Sequence, residues 1–186
     1  MRIIAGTARR LPLKTVEGLE TRPTTDRIKE TLFNMIQDEL PGSYFLDLFA
    51  GSGQIGLEAV SRGAAFAVFV ENQKKAAACI EENIRFTKFA RETKVCQQDV
   101  FGAMRTLEGQ YRFDVIFMDP PYGQALEKEV LSYLASSSLL KDDTLILVEA
   151  ALGTDFGYLE NLGFKLVKEK TYKTNEHAFI RKMHGT

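Results

Sequence analysis

Apolar positions recur along this chain with two different periods. Ile28, Leu32, Met35, Ile36 and Leu40 keep the spacing of a helix with one buried stripe. Arg22-Pro23-Thr24-Thr25 supplies the entry, since proline and threonine suit a first turn and its cap, and Pro41-Gly42 supplies the stop. A leading helix is therefore predicted over 23–40. Ahead of it, Gly6, Pro12 and Gly18 punctuate residues 1–22, which are expected to form an extended arm or short hairpin.

Beyond residue 43 the two periods alternate. Apolar runs at Tyr44–Phe49, Phe66–Val70, Thr93–Cys96, Phe113–Met118 and Thr144–Val148 have the length of buried strands. Between them, Ile55–Ser61, Lys74–Phe89, Val100–Leu107 and Leu126–Leu134 show helical spacing, with Ala77, Ile80 and Ile84 facing inward on the second of these. Two last strands, about Phe164–Glu169 and Ala178–Lys182, have no helix between them. Lys173-Thr174-Asn175-Glu176 suits a turn, so the final strand is expected to return antiparallel. Strand–helix alternation of this kind predicts an α/β fold: a seven-stranded, mostly parallel sheet covered on both faces. No repeat or linker interrupts it. One domain over 1–186 is expected, with the arm at 1–22, the leading helix at 23–40 and the core at 43–186.

Composition changes this picture little. No apolar run approaches the roughly 18 residues that cross a bilayer, and Arg9, Arg10 and Pro12 leave no room for a signal sequence. A cytoplasmic protein without membrane contact is expected. Cys79 and Cys96 have no disulfide or metal spacing, and His177 and His184 are too few for a metal centre, so no metal site is expected. Net charge is −1, but its distribution is uneven: residues 1–14 and residues 165–186 each carry +4, leaving −9 between them. Two basic ends suit phosphate contacts, because charge neutralisation drives nucleic-acid affinity.

Chemistry enters at the strand ends. Gly51-Ser52-Gly53-Gln54-Ile55-Gly56 lies between a strand and a helix. Glycines there allow close backbone approach, and the helix start offers free N–H groups. Glu71 ends the next strand, 20 residues after Gly51, where a carboxylate can accept from ribose hydroxyls. Asp47 sits inside the first strand's end, four residues before Gly51; it suits a cationic amino-acid moiety and would repel a pyrophosphate. Asp99, past the third strand, can accept from an adenine amine. The fourth strand runs into Asp119-Pro120-Pro121-Tyr122. Two prolines stiffen this turn and remove two donors, so it presents acceptors only. Its complement is a donor such as an –NH2 group, and Tyr122 adds a flat surface on which a base can stack. An exocyclic amine held by Asp119 and the Pro120 carbonyl would have its lone pair aimed for in-line methyl transfer, with Asp119 able to take the departing proton.

The glycine loop with Asp-Pro-Pro-Tyr resembles class I methyltransferases that act on amino groups of bases. Arg2-Ile3-Ile4-Ala5-Gly6, the stretch from Arg22 to Asn34, Leu46-Asp47-Leu48-Phe49-Ala50-Gly51-Ser52-Gly53 and Gly56-Leu57-Glu58-Ala59 resemble the RsmD family. Gln54-Ile55 departs from the small apolar pair expected in the loop. The resemblance implies a Rossmann-like class I methyltransferase that uses S-adenosylmethionine to methylate N2 of a guanine in 16S ribosomal RNA, guanine 966. It implies a cofactor site of Asp47, Phe49, Gly51, Ser52, Gly53, Glu71, Asn72, Asp99, Val100 and Asp119. Asp119, Pro120, Pro121 and Tyr122 would hold the guanine, and Arg22, Thr24, Arg27, Arg9 and Arg10 would meet the RNA. The implied partner is ribosomal RNA or the small ribosomal subunit, met by a monomer. The residues alone leave other readings open: an adenine-N6 or cytosine-N4 methyltransferase, an NAD-dependent oxidoreductase, or a non-catalytic RNA-binding module.

Overall fold

The computed structural model describes residues 1–18 and 25–185; Arg22 and Thr24 lie outside them. Helix α1 spans Asp26–Met35. Thr25 caps it, its Oγ1 accepting from Ile28 N at 3.2 Å, and Asp26 complements the positive end of the helix dipole. The helix is shorter than the 23–40 expected from spacing. A 3-10 turn at Gln37–Glu39 carries the chain on to Leu40, and Leu32, Phe33, Ile36 and Leu40 are all buried.

Seven strands follow: β1 Tyr44–Asp47, β2 Phe66–Val70, β3 Thr93–Cys96, β4 Phe113–Met118, β5 Leu140–Ala151, β6 Phe164–Thr171 and β7 Asn175–Lys182. Helices α2 Gln54–Ser61, α3 Lys74–Thr87, α4 Val100–Leu107 and α5 Leu126–Leu134 connect the first five. The sheet order is β3-β2-β1-β4-β5-β7-β6. Strands β1 to β5 pair in parallel, and β7 runs antiparallel to both β5 and β6, as expected.

Two strands are longer than their apolar runs. Strand β5 starts at Leu140, paired with Phe113, and crosses the polar run Lys141-Asp142-Asp143 before its apolar part. Thr144 Oγ1 secures that crossing by donating to Phe113 O at 2.6 Å and accepting from Lys141 N at 2.7 Å. Strand β7 begins at Asn175, so Asn175 and Glu176 are not turn residues. The turn closes one step earlier, with Tyr172 N donating to Asn175 O at 2.8 Å. Asn175, Glu176 and His177 are buried and pair with Ala151, Ala150 and Glu149.

Side chains alternate across a strand, and the sheet is covered on both faces. Helices α4 and α5 bury Met104, Leu107, Leu131 and Leu134 against Leu46, Val68, Ile116 and Ile146. On the other face, the arm, α1, α2 and α3 bury Ile3, Phe33, Leu57 and Ile80 against Phe45, Phe69, Phe117 and Leu147. The arm is a hairpin, with an antiparallel bridge between Arg2 and Pro12 and Ile3 N donating to Leu11 O at 3.0 Å. Glu58 of α2 anchors it by accepting from Ile4 N at 2.9 Å and Ala5 N at 3.1 Å. Glu58 is fully buried and also meets Arg62 at 2.9 Å and Lys29 at 3.5 Å. At Gly6 a Cβ would fall 1.8 Å from the Ser61 carbonyl oxygen, so the arm docks only with glycine there. Among the described residues, no helix is long and apolar enough to cross a membrane.

Candidate active site

The arm-side core sets the site by simple alternation. Phe45, Phe69, Phe117 and Leu147 belong to it, and two residues further along each strand stand Asp47, Glu71, Asp119 and Glu149. His177 stands two residues before Phe179 on β7, paired with Glu149. The strand order therefore makes one row of polar groups at the carboxyl end of the sheet: Glu71, Asp47, Asp119, Glu149, His177. Asp47 is level with Phe69 and Phe117 in the pairing. It sits two residues, about 6.6 Å, deeper than its neighbours.

Depth decides the chemistry of Asp47. It is 1% exposed, and among the described residues neither carboxylate oxygen has a hydrogen-bond donor. Burial pushes it up to about 7, with the Glu71 charge adding to the shift. The N–H groups of Phe49 and Gly56 oppose this electrostatically without reaching hydrogen-bond geometry. Glu71 is instead satisfied, accepting from Gly51 N at 2.9 Å and Gln73 N at 3.0 Å. It thereby ties the glycine loop to the end of β2.

The loop is built to lie close to a ligand. Gly51 and Gly53 have φ of +57° and +87°, in the region L side chains disfavour. Gly56 serves packing: a Cβ there would lie 2.4 Å from the Phe69 ring, so α2 could not rest on β2. Asn83 of α3, 1% exposed, donates to Ser52 O at 2.9 Å and accepts from Lys14 N at 2.8 Å, joining loop to arm. Asp99 caps α4, with Oδ1 accepting from Phe101 N at 3.1 Å and Gly102 N at 3.0 Å. Phe49 is half-buried against the α4–α5 core, Val100 is buried at the start of α4, and Ser52 and Asn72 flank the loop and β2.

Asp119 stands at the end of β4, beside Asp47 on β1 and Glu149 on β5. Burial first, then the Glu149 and Asp47 charges, push it up to about 8. Pro120 is buried and Pro121 exposed, and Tyr122 shows 43% of its surface. Gly123 and Ala125, with φ of +78° and +52°, then turn the chain into α5. The turn thus offers acceptors beside an exposed aromatic ring.

Sequence reasoning missed the far end of the row. Glu149 is 7% exposed; Asn175 Nδ2 donates to its Oε1 at 2.9 Å, and His177 Nε2 lies 3.1 Å from its Oε2. A signal was present, since Val148-Glu149 ends the apolar run of β5 as Val70-Glu71 ends that of β2. Asn83 and Glu58 gave no such signal, because the arm and loop backbone atoms they hold arrive from distant segments.

The RNA-facing residues divide. Arg27 is exposed in the first turn of α1; the Arg2–Asp26 ion pair and the Ser52–Met1 contact link that end of the helix, through the arm, to the glycine loop. Arg9 and Arg10 stand away from the glycine loop. Thr7 N and Ala8 N donate to Ser61 at the opposite end of α2, one eight-residue helix, about 12 Å, below the loop. A different basic file shares the row's face. In the β6–β7 pairing Lys165, Lys168 and Lys170 lie opposite Arg181, Phe179 and His177, and among the described residues none of the three forms an ion pair.

These residues fit a small ligand that is cationic near β1 and hydroxyl-bearing near β2. The buried, undonated Asp47 needs positive charge, and Glu71 keeps lone pairs beside loop amides.

Comparison with known proteins agrees with this architecture. The family model described as conserved hypothetical protein 95 matches residues 1–181. Ribosomal RNA small subunit methyltransferase D of Haemophilus influenzae is 40% identical over 174 residues, covering 92% of this chain and 88% of that one. Its Escherichia coli namesake is 36% identical over 152 residues, covering 81% and 74%. The solved structure of a hypothetical protein from Thermus thermophilus superposes with a TM-score of 0.82 at 30% identity, over 96% of this chain and 98% of that one. With the sheet order of class I methyltransferases and this match along nearly its whole length, the chain belongs to the conserved hypothetical protein 95 family, the RsmD family.

Proposed function

We propose that the protein methylates the exocyclic N2 amine of a guanine in 16S ribosomal RNA, guanine 966, using S-adenosylmethionine. The observation that carries this reading is the adjacency of two unlike needs. Asp47 is a buried carboxylate without a donor, which calls for a cation. Beside it, Asp119, once ionised, and the Pro120 carbonyl form an acceptor-only turn, which calls for an amine. Relatives named ribosomal RNA small subunit methyltransferase D support the RNA class.

Asp47, the Gly51–Gly53 backbone and Glu71 would hold the methyl donor, with Asp99, Asn72, Phe49 and Val100 around its adenosine. Bound there, the donor supplies an electrophilic methyl group. Asp119 ionises once a cation stands beside it, because the burial cost that raises it is offset by the opposite charge. Its carboxylate and the Pro120 carbonyl then accept from the amine and aim the nitrogen lone pair. Tyr122 stacks on the base, which leaves any paired helix to reach the turn. The amine nitrogen would gain positive charge on accepting the methyl group from the sulfonium, and the Asp119 carboxylate would take the proton it sheds. The lysine file on β6 and Arg27 contact phosphates.

The test is mass mapping of methylated nucleotides in 16S ribosomal RNA from a deletion strain, complemented with wild-type protein or Asp119→Ala. Loss of one guanine-N2 methyl, restored only by the wild type, is expected. An unchanged guanine pattern, or loss of an adenine or cytosine methyl, overturns the reading.

A further inference from the structure

Asp119 has a neighbour that the Asp-Pro-Pro-Tyr turn does not supply. Strands β4 and β5 run parallel with Met118 paired to Val148, so Asp119 and Glu149 are the next residues on each. Adjacent strands lie about 4.8 Å apart, and both side chains fall on the arm-side face. Glu149 does not drift: Asn175 Nδ2 and His177 Nε2, both from β7, hold its two oxygens. Each oxygen retains a second lone pair. The site therefore presents two carboxylates side by side, one movable in charge and one pinned.

That pairing discriminates between bases. Guanine offers two adjacent donors on its pairing edge, N1–H and the N2 amine. Adenine offers its N6 amine beside the N1 acceptor, and cytosine its N4 amine beside the N3 acceptor. A second carboxylate opposite either acceptor is repulsive, whereas opposite N1–H it makes a charge-assisted hydrogen bond. We infer that Glu149, positioned by Asn175 and His177, is the residue that selects guanine, accepting from N1–H while Asp119 accepts from the N2 amine. This rests on the amine-methylation reading and adds to it the source of base specificity, which the Asp-Pro-Pro-Tyr turn alone does not carry.

The deciding probe is 2-aminopurine, which keeps the 2-amine but replaces N1–H by an acceptor. Target RNA carrying guanine or 2-aminopurine, assembled with small-subunit proteins, is presented to wild-type protein, Glu149→Gln and Asn175→Ala. Two readouts are taken: kcat/KM for methyl transfer, and RNA affinity in the absence of methyl donor. The wild type should favour guanine by about 10- to 100-fold, the usual range for one correctly paired base contact. Glu149→Gln can donate as well as accept, so its preference should fall toward unity, chiefly through loss on guanine. Asn175→Ala leaves the carboxylate less firmly held and should give an intermediate ratio, which carries the test if Glu149→Gln fails to fold. A wild type that treats both bases alike overturns the inference. So does a Glu149→Gln variant that slows on both bases in the same proportion, since that marks a structural role; guanine methylation by the wild type would still stand. Methylation of adenine or cytosine instead by the wild type overturns both the base assignment and the role of Glu149.

Discussion

Replacing Asp47 by asparagine should make the protein more stable at neutral pH while weakening its hold on the methyl donor. Asp47 ionises at about 7 in the fold, against an ordinary 3.8, because burial disfavours its charge and the Glu71 charge adds to the shift. Its pKa is raised, so the native state keeps its full stability below pH 3.8 and loses it as pH rises toward 7; above that the loss is constant. About three units at about 1.4 kcal/mol each set an upper bound near 4 kcal/mol. Dielectric relaxation makes about 2–4 kcal/mol the expected size. Asparagine has nearly the same shape and no charge. Any cost of its unsatisfied amide is independent of pH and is measured at low pH, where both proteins are neutral at this position. The assay is urea unfolding at pH 4.5 and pH 8, followed by far-UV circular dichroism because the chain has no tryptophan. Because the unfolded carboxylate is already largely ionised at pH 4.5, the advantage of Asp47→Asn over wild type should grow by about 1–3 kcal/mol between the two pH values. Calorimetry should show S-adenosylmethionine bound about 10- to 100-fold more weakly, the loss of one charged hydrogen bond. A stability difference that is the same at both pH values refutes the reasoning.

Three further outcomes follow from named contacts. Glu58→Ala strips the buried Lys29 and the half-buried Arg62 of their counter-charge and the arm of two acceptors, so it should cost about 3–5 kcal/mol in the same unfolding assay; burial already holds the Lys29 ammonium below its ordinary value, with Glu58 the main opposing influence. Gly56→Ala drives a methyl into the Phe69 ring and should cost about 1–3 kcal/mol, visible as a fall in Tm of roughly 3–10 °C. Neutralising Lys165, Lys168 and Lys170 together to glutamine should raise KM for RNA, leave methyl-donor affinity unchanged, and lower the slope of log affinity against log salt by about 2.

The parallel strands were legible because buried strands are continuous apolar runs, and the carboxyl-end carboxylates were legible because each interrupts such a run. Glu71 and Asp119 announce themselves this way. Strand β7 was not legible at its start, since Asn175-Glu176-His177 has loop composition and its burial is explained only by partners on β5. Glu149 carried the same signal as Glu71, but its role depends on Asn175 and His177, which reach it only through the β5–β7 pairing. For Arg9 and Arg10, sequence gives charge but not which end of α2 the hairpin tip reaches, and that is fixed by Ser61 and Gly6. Asn83 is polar and helical, with nothing to single it out in sequence; its role exists only because the loop carbonyl of Ser52 and the amide of Lys14 arrive from elsewhere.

The strand-end carboxylates are not equivalent, and the difference follows the division of labour across the sheet. Glu71 and Asp99 accept from backbone amides and so stabilise the loop and helix they touch. Asp47 and Asp119 are raised toward neutrality by burial and by neighbouring carboxylates. A protein selected for stability alone would not keep both. Their presence in one row is accounted for if a cation and an amine supply, during turnover, the positive charge and the donors that the folded chain withholds. The same ligand should then stabilise the protein more at pH 8 than at pH 5, because only at the higher pH is there ionisation cost to relieve. A ligand-induced rise in Tm that is equal at both pH values would separate these carboxylates from binding.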